Sequence, residues 1–184
     1  MSNPTVCFMG FNSTGIDKQK CLWINELCDM TNTSYLSIQE HFKIAKNTDQ
    51  YFSEKFDKFN SYVIPGHREK GQDSGRPKAG LAQLSRKDID IKKDRIVTKN
   101  FRLQAQILNF STSRLLWINA YLPTDPQNGE FDSNELLEVL AEVESIMDSE
   151  VFDDVLWQGD LNWDISRNSE FSNIMKRFMN RIGL

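Results

Sequence analysis

The sequence predicts a single-domain α/β protein. Apolar runs typical of strands alternate with amphipathic runs typical of helices, and short gaps between the runs in the middle of the chain indicate antiparallel hairpins. A length of 184 residues suits one domain with a sizeable core. The hydrophobic fraction of 39% and the aromatic fraction of 11% exclude general disorder. No repeat or low-complexity linker marks a boundary, so we predict one domain over residues 1–184.

The elements follow from the spacing of apolar residues and from the turn residues between them. Strands are predicted over residues 5–11, 34–39, 62–64, 81–84, 95–98, 101–110, 114–121 and 152–157. Helices are predicted over residues 17–30, 48–59, 133–147 and 171–182. Asp17 suits the N-cap of the first helix, and Asp132 or Ser133 suits that of the third.

The composition of the chain bears on its cellular location. No apolar run approaches the roughly 20 residues that cross a bilayer, and the first residues lack the pattern of a signal peptide. We therefore expect a nuclear or cytoplasmic protein that is not secreted and has no membrane partner. Cys21 and Cys28 lie on a helical pattern and are expected to be buried thiols, with neither a disulfide framework nor a zinc site.

The charge is unevenly distributed along the chain. Residues 67–102 contain eleven lysines and arginines against five acidic residues, a net charge of +6 in a chain whose total is −4. Such a basic centre is typical of a surface that binds a polyanion. Lysine-rich edge strands, which keep sheets soluble, would give the same pattern, and the sequence leaves both interpretations open.

The stretch Leu156-Trp-Gln-Gly-Asp-Leu-Asn-Trp-Asp164 is the strongest candidate for a functional site. A strand-like run precedes it, and Gly159 indicates a sharp turn at the strand end. If the segment stays extended, Asp160 and Asn162 project to the same side. A carboxylate that accepts a water proton and an amide that donates to a phosphate oxygen suit phosphate ester hydrolysis. Asp and Asn are also ordinary turn residues, which is the alternative.

Three further polar residues stand at predicted strand ends, where α/β proteins often keep their sites. They are Asn12, Glu40 and Tyr121. Each has an ordinary alternative: Asn12 forms turns, Glu40 is solvated, and Tyr121 packs as an aromatic residue with its hydroxyl in water. Together with Asp160 and Asn162, however, they place five polar groups at such positions.

Four motifs resemble, in order and in spacing, those of the endonuclease/exonuclease/phosphatase superfamily. They are Ser37-Ile-Gln-Glu-His41, Gly75-Arg-Pro-Lys-Ala-Gly-Leu81, Asn119-Ala-Tyr-Leu-Pro123 and Gln158-Gly-Asp-Leu-Asn162. The second motif is most similar to the apurinic-type endonuclease domain of non-LTR (LINE-like) retrotransposons. The resemblance extends from about residue 6 to residue 184.

The resemblance implies a DNase I-like fold, a four-layer sandwich of two mixed sheets flanked by helices. It also implies a Mg²⁺ or Mn²⁺ cofactor, with Glu40 as carboxylate ligand and Asn12 beside it. Asp160 would orient or deprotonate the attacking water, while Tyr121 and Asn162 would contact the scissile phosphate. The implied substrate-binding residues are Arg76, Lys78, Asn119 and Thr124.

The implied function is that of a metal-dependent, DNA-nicking endonuclease domain from a retroelement. DNA would be the partner, and a reverse transcriptase domain would belong to the parent polyprotein. One alternative is a phosphatase of the same fold acting on a phosphoinositide or other small phosphate, since residues 157–163 also resemble the inositol polyphosphate 5-phosphatase signature. A non-catalytic remnant is the other alternative.

Two departures from the family pattern bear on activity. Thr124 stands where the family often has Asn. After Asn162 there is no counterpart of the closing Ser-Asp-His-type segment, which supplies a histidine and a further aspartate. We therefore expect the chain to lack the last part of the domain and, on its own, to be inactive and poorly stable.

Overall fold

The structure, a computed structural model, describes residues 6–44, 47–68, 71, 74–125 and 133–183. Helices and strands alternate within these ranges in the predicted order. The strands are β1 (Phe8–Asn12), β2 (Tyr35–Gln39), β3 (Phe59–Ile64), β4 (Leu81–Arg86), β5 (Lys92–Ile96), β6 (Leu103–Asn109), β7 (Arg114–Tyr121) and β8 (Asp154–Asp160). The helices are α1 (Lys18–Met30), α2 (Thr48–Lys55), α3 (Ser133–Ser149) and α4 (Glu170–Ile182).

The strands of the described residues form two four-stranded sheets. The order is β1-β2-β4-β3 in the first and β5-β6-β7-β8 in the second. β1 pairs with β2 in parallel, as β7 does with β8, and the other pairs are antiparallel. Both sheets are therefore mixed, as predicted.

Each sheet buries its outer face under two helices. On the first sheet, Ile24 of α1 and Phe52 of α2 pack with Leu36 of β2 in one apolar cluster, and the predicted buried thiols Cys21 and Cys28 belong to it. A second cluster joins β6 and β7 to α3 and α4 through residues such as Val143 and Phe171. The helices thus form the outer layers of a four-layer sandwich, which confirms the predicted fold class.

The space between the sheets is partly polar. Tyr35, Leu108 and Trp117 form an apolar cluster there. Nearby, the Gln83 amide donates to the Trp117 carbonyl at 2.9 Å, and the Gln106 amide donates to Gln83 Oε1 at 3.0 Å. Because buried amides are costly unless they are paired, these bonds between strands of opposite sheets help to fix how the sheets face each other.

Several predicted boundaries differ from the observed ones. α2 ends at Lys55 and β3 begins at Phe59, because Phe59 pairs with Arg86 of β4. β5 covers residues 92–96, where it pairs with β6, instead of residues 95–98. The N-cap prediction for Asp17 is confirmed, since its carboxylate accepts the Lys20 N–H at 2.8 Å. Asp132 lies outside the described residues.

The predicted turn at Gly159 is wrong. β8 continues through Gly159 to Asp160, and Gly159 pairs with Ala120 of β7. Its φ is +140°, and a Cβ at this position would lie 1.9 Å from the Ala120 carbonyl oxygen. Glycine is therefore required here by the close approach of two strands.

No helix in the described part of the chain has the length and apolar character needed to span a membrane.

Candidate active site

Two pairs of parallel strands end at polar residues. Asn12 ends β1 beside Gln39 of β2, and Glu40 follows directly. In the other sheet, Tyr121 ends β7 beside Asp160, the last residue of β8. Two hydrogen bonds, Asn12–Asp160 and Tyr121–Glu40, connect these ends across the sandwich. The structure therefore brings together four of the five side chains that the sequence suggested as one group.

Hydrogen bonds on both oxygens orient the Asp160 carboxylate. The Asn12 amide donates to Oδ2 at 2.6 Å, and the Asn162 backbone N–H donates to Oδ1 at 3.2 Å. The side-chain oxygen of Asn12, Oδ1, in turn accepts the Thr14 N–H at 2.9 Å, which fixes the orientation of the amide. An ionised carboxylate has about four acceptor positions, so Asp160 keeps capacity for a water molecule.

Glu40 sits on a constrained backbone. Its φ is +53°, a left-handed conformation that costs roughly 1–2 kcal/mol for a residue with a Cβ. The surrounding loops hold it there: the Glu40 carbonyl accepts the Gly15 N–H at 2.7 Å and the Ser13 hydroxyl at 3.1 Å. The next residue, His41, donates its N–H to the Gly80 carbonyl at 3.2 Å. The side chain of Glu40 is only 15% exposed, so its position is closely defined.

Tyr121 faces Glu40 with a protonated hydroxyl. Burial raises the pKa of Tyr121 to about 12, and a hydrogen bond to Glu40 together with the charge of that carboxylate adds to the rise. The hydroxyl is therefore a hydrogen-bond donor at neutral pH.

Arg102, whose role the sequence did not reveal, lies 5.1 Å from the Tyr121 ring centre and forms a 2.8 Å ion pair with Glu135. Only its place in the basic segment could have drawn attention to it.

Arg76 also reaches this group. Its guanidinium stacks on the Phe42 ring at 4.0 Å, and one of its nitrogens lies 3.9 Å from Glu40 Oε2. The Arg76 side chain remains 57% exposed, so it can still meet a ligand at the mouth of the cleft. Phe42, which supports it, has a φ of +55° and was not found by sequence reasoning. Lys78 is exposed and forms an isolated antiparallel bridge with His67.

The extended geometry predicted for Asp160 and Asn162 is wrong. β8 stops at Asp160, and Asn162 has a φ of +48° because its N–H turns back to the Asp160 carboxylate. The Asn162 amide donates to the Leu122 carbonyl at 2.8 Å. The turn interpretation thus describes the backbone correctly. An amide has two N–H groups, so Asn162 retains one donor for a ligand.

Asn119 does not fit its predicted contact with substrate. It is fully buried between the sheets. Its oxygen accepts from Gln39 at 2.7 Å, and its NH₂ group lies within 3.3 Å of three oxygens, on Ile38, Ala82 and Gln104. This residue holds the sheets together beneath the cleft. Thr124, by contrast, is exposed just beyond β7, where contact with a ligand is sterically open.

The two histidines have different surroundings, and the buried one is not free to act in the cleft. His41 is 1% exposed; its Nε2 donates to the Ile64 carbonyl at 3.1 Å, and its Nδ1 accepts the Lys43 N–H at 3.0 Å. Burial lowers the pKa of His41 to about 4, so the ring is neutral at pH 7. His67 stacks on Phe101 with 4.6 Å between ring centres.

The side-chain oxygen atoms of the cleft are of the type that binds a hard divalent cation. Mg²⁺ in proteins is often held by one or two carboxylates and completes its shell with water or phosphate oxygens. Glu40 and Asp160 supply carboxylates. Asn12 Oδ1 accepts the Thr14 N–H at 2.9 Å and the Thr14 hydroxyl at 3.4 Å, so it would have to release the longer bond to bind a cation. Among the described residues, no group of three or more His, Cys, Asp or Glu side chains is arranged to hold an ion. A cation held by these two carboxylates would take its remaining ligands from water or phosphate.

Solved structures share this architecture. The AP endonuclease LMAP from Leishmania major aligns with a TM-score of 0.65 at 14% identity, over 95% of this chain and 66% of that one. The endonuclease domain of TRAS1, a telomere-specific non-LTR retrotransposon, gives 0.64 at 11% identity, over 98% and 73%. An endonuclease/exonuclease/phosphatase family protein from Leptotrichia buccalis gives 0.60 at 12% identity, over 95% and 73%. No protein-family model matches the chain, and no curated sequence matches it significantly.

These solved structures show the fold of the chain. The chain has the fold of the endonuclease/exonuclease/phosphatase superfamily, as its four motifs indicated. Nucleases are prominent among the proteins with this fold, and a retrotransposon endonuclease domain is one of them, in agreement with the motif at residues 75–81. The chain spans 50% to 73% of the length of these and similar solved structures.

Proposed function

We propose that this chain is the endonuclease domain of a non-LTR retroelement protein and that it cleaves the DNA backbone with the help of Mg²⁺ or Mn²⁺. The observation that carries the proposal is the convergence of Glu40, Asn12, Tyr121 and Asp160 at two pairs of parallel strand ends. A carboxylate for a cation, a carboxylate for a water molecule and a neutral donor for phosphate are the groups that phosphodiester hydrolysis requires.

The residues divide the chemistry between them. Asp160, oriented by Asn12 and Asn162, accepts a proton from the attacking water. The Tyr121 hydroxyl would exchange its hydrogen bond to Glu40 for one to a phosphate oxygen, and the unused N–H of Asn162 supplies a second donor. Glu40 and Asn12 would hold the cation, which when bound supplies positive charge to the phosphate and the leaving group. Arg76 at the mouth of the cleft would contact a neighbouring phosphate.

The distribution of charge favours DNA as the substrate. The segment of residues 67–102 has a net charge of +6, and its Arg76 and Lys78 are exposed beside the cleft or on the adjoining loop. Backbone phosphates attract such groups whatever the base sequence. A phosphatase of the same fold is the second candidate, favoured by the resemblance of residues 157–163 to the inositol polyphosphate 5-phosphatase signature.

The retroelement origin has further consequences. We expect a reverse transcriptase domain in the same polyprotein and a nuclear or cytoplasmic location, as for a protein that acts on chromosomal DNA. Sequencing the complete reading frame and imaging a tagged protein are the respective tests. We also expect nicking by this chain alone to be absent or close to background, because His41 is buried.

Metal binding is the first test, since it does not depend on turnover. Titration of ¹⁵N-labelled protein with Mn²⁺ should broaden amide signals near residues 12, 40 and 160 in a saturable way, and excess Mg²⁺ should reverse the effect. Glu40→Gln should remove this response. Glu54→Gln is the matched control, because Glu54 is exposed on α2 and, among the described residues, bonds only to Gln50.

Activity is tested by the conversion of supercoiled plasmid to open circles in Mg²⁺ and in EDTA, beside the release of phosphate from inositol phosphates. Nicking that requires Mg²⁺ and Glu40 supports the endonuclease. Phosphate release without nicking indicates the phosphatase. Metal binding with neither activity indicates a catalytic remnant, and the absence of metal binding at Glu40 would overturn the assignment of the site.

A further inference from the structure

A second polar cavity opens at the side of the sandwich. It has a volume of about 260 Å³ and lies between the edge strands of the two sheets, β3 and β5. Residues of β3, β4, β5 and β6 line it. Ser85, in its wall, pairs with Asn60 near the start of β3, whereas Ala82, near the other end of β4, pairs with Ile38 near the end of β2. The cavity is therefore distinct from the candidate active site.

The lining of the cavity contains no carboxylate. Lys93 and Arg95 stand two apart on β5, so both extend from the same face of the strand. Arg95 is already engaged: it donates to the Ser61 carbonyl at 2.9 Å and lies 4.8 Å from the centre of the Tyr62 ring. Two cations on one face without an acid between them repel each other, and an anion would relieve this repulsion.

Lys93 is the charged residue of the cavity lining that could bind a ligand. It is half-buried and forms no ion pair or hydrogen bond with any residue that the structure describes. Burial lowers the pKa of Lys93, and Asp90 is the acid whose charge acts against that effect. Its neighbour Lys92 extends to the opposite face, where it pairs with Asp94 at 3.0 Å.

Ser85 provides an independent second group. It is 4% exposed, yet its hydroxyl makes no hydrogen bond within the described part of the chain. The hydroxyl is not among the fully buried polar atoms, so a ligand in the cavity can reach it. The amides of Gln83 and Gln106 are fixed beside it by their bonds to Trp117 and to each other, and each keeps one N–H group. Unused N–H and O–H donors of Ser85, Gln83 and Gln106 therefore line this small space, beside one unused acceptor, the Gln106 side-chain oxygen.

We propose that this cavity binds a phosphate-type oxyanion, with the Lys93 ammonium and the Ser85 hydroxyl as its main ligands. A tetrahedral oxyanion offers several acceptor oxygens to donors that approach from different strands, and charge-assisted bonds of this kind are strong. The volume lies just below the roughly 300 Å³ at which pockets for drug-sized ligands begin, which suits an ion or a terminal phosphate group. Binding there is independent of hydrolysis at Glu40 and Asp160.

The test compares inorganic phosphate with chloride at equal ionic strength on the 184-residue protein. Phosphate should raise the thermal unfolding temperature in a saturable way and shift the amide signals of residues 60, 85, 93 and 106. Lys93→Gln should weaken this binding at least about tenfold, the loss expected for one charge-assisted hydrogen bond. Lys92→Gln, one residue away on the other face, should leave it unchanged.

Ser85→Ala keeps both cations and provides a second variant should Lys93→Gln fail to fold. We expect a loss of about threefold or more from this variant, in line with one neutral hydrogen bond. No saturable response to phosphate, or an equal loss in the Lys92 and Lys93 variants, would overturn the proposal. Short oligonucleotides with and without a 5′-phosphate then identify the source: competition with phosphate by the phosphorylated one alone indicates a nucleic-acid end, and competition by neither indicates the free ion.

Discussion

The amide of Asn12 donates a 2.6 Å hydrogen bond to the carboxylate of Asp160, and this contact joins residues 148 positions apart in the chain. Asn12 ends β1, an edge strand of one sheet, and Asp160 ends β8, an edge strand of the other. The bond therefore connects the two sheets at the point where the candidate active site opens. It also sets the direction of the carboxylate that we assign to the water molecule.

A double-mutant cycle on this pair should reveal the coupling. Asn12→Ala leaves a half-buried carboxylate with only the Asn162 N–H, and we expect a loss of roughly 1.5–3 kcal/mol in the free energy of unfolding. Asp160→Asn should cost less, because the pair can still bond as two amides. Urea unfolding of both single variants and of the double variant gives the interaction energy. Additive effects would mean that the bond does not contribute to stability.

Asn12 and Asp160 could be predicted from the sequence because each stands at the end of an apolar strand. This pattern does not depend on how the strands are arranged. The order of the strands in the sheets could not be predicted in this way. β1 and β8 face each other because of contacts between residues that are far apart in the chain. The turn at Asn162 was missed for a related reason. Alternation predicts which side of an extended strand a residue occupies, but the hydrogen bond from Asn162 N–H to Asp160 ends the strand two residues earlier.

The loop that carries Glu40 depends on a glycine that sequence reasoning treated only as part of a motif. Gly80 has a φ of +95°, and a Cβ there would lie 2.8 Å from two atoms of the His41 ring. Gly75 has the same φ with nothing within 4 Å of a Cβ. The two glycines therefore share a conformational requirement and differ in steric space.

This difference gives a matched experiment. Gly75→Ala should reduce the free energy of unfolding by about 1–2 kcal/mol, the cost of a left-handed residue with a Cβ. Gly80→Ala carries the same cost and must also displace His41, which adds about 1–3 kcal/mol. Thermal or urea unfolding measures both, and Mn²⁺ binding reports on Glu40. Equal losses from the two variants would show that the His41 ring adjusts freely.

His41 should make stability depend on pH. Its pKa is lowered by burial from 6.5 to about 4 in the folded protein, so the unfolded chain binds the proton more readily. Folding is thus fully favoured above pH 6.5, and stability declines as the pH falls from 6.5 towards 4, by about 3 kcal/mol in all. Urea unfolding at several pH values should show this slope in the wild type and in the control His67→Gln. The slope should be absent in His41→Gln, and its persistence there would assign it to other groups.

For Asn119, a structural role can be distinguished from contact with a substrate. A motif of the form Asn-Ala-Tyr places Asn119 and Tyr121 on the same face of β7, and nothing in the sequence shows that the first meets the other sheet while the second meets the cleft. In the structure Asn119 is fully buried, and its amide bonds to Gln39 of β2 and Gln104 of β6.

We therefore expect Asn119→Ala to act on stability. Removing this amide leaves buried donors and acceptors in both sheets without partners, at a cost of roughly 2–4 kcal/mol in the free energy of unfolding. Asn173→Ala, at an exposed position of α4, is the control and should change this free energy by less than about 0.5 kcal/mol. Urea unfolding measures both, and Mn²⁺ titration of the folded fraction reports on the cleft. A stable Asn119→Ala variant with weakened binding of DNA would instead return Asn119 to the substrate-binding residues.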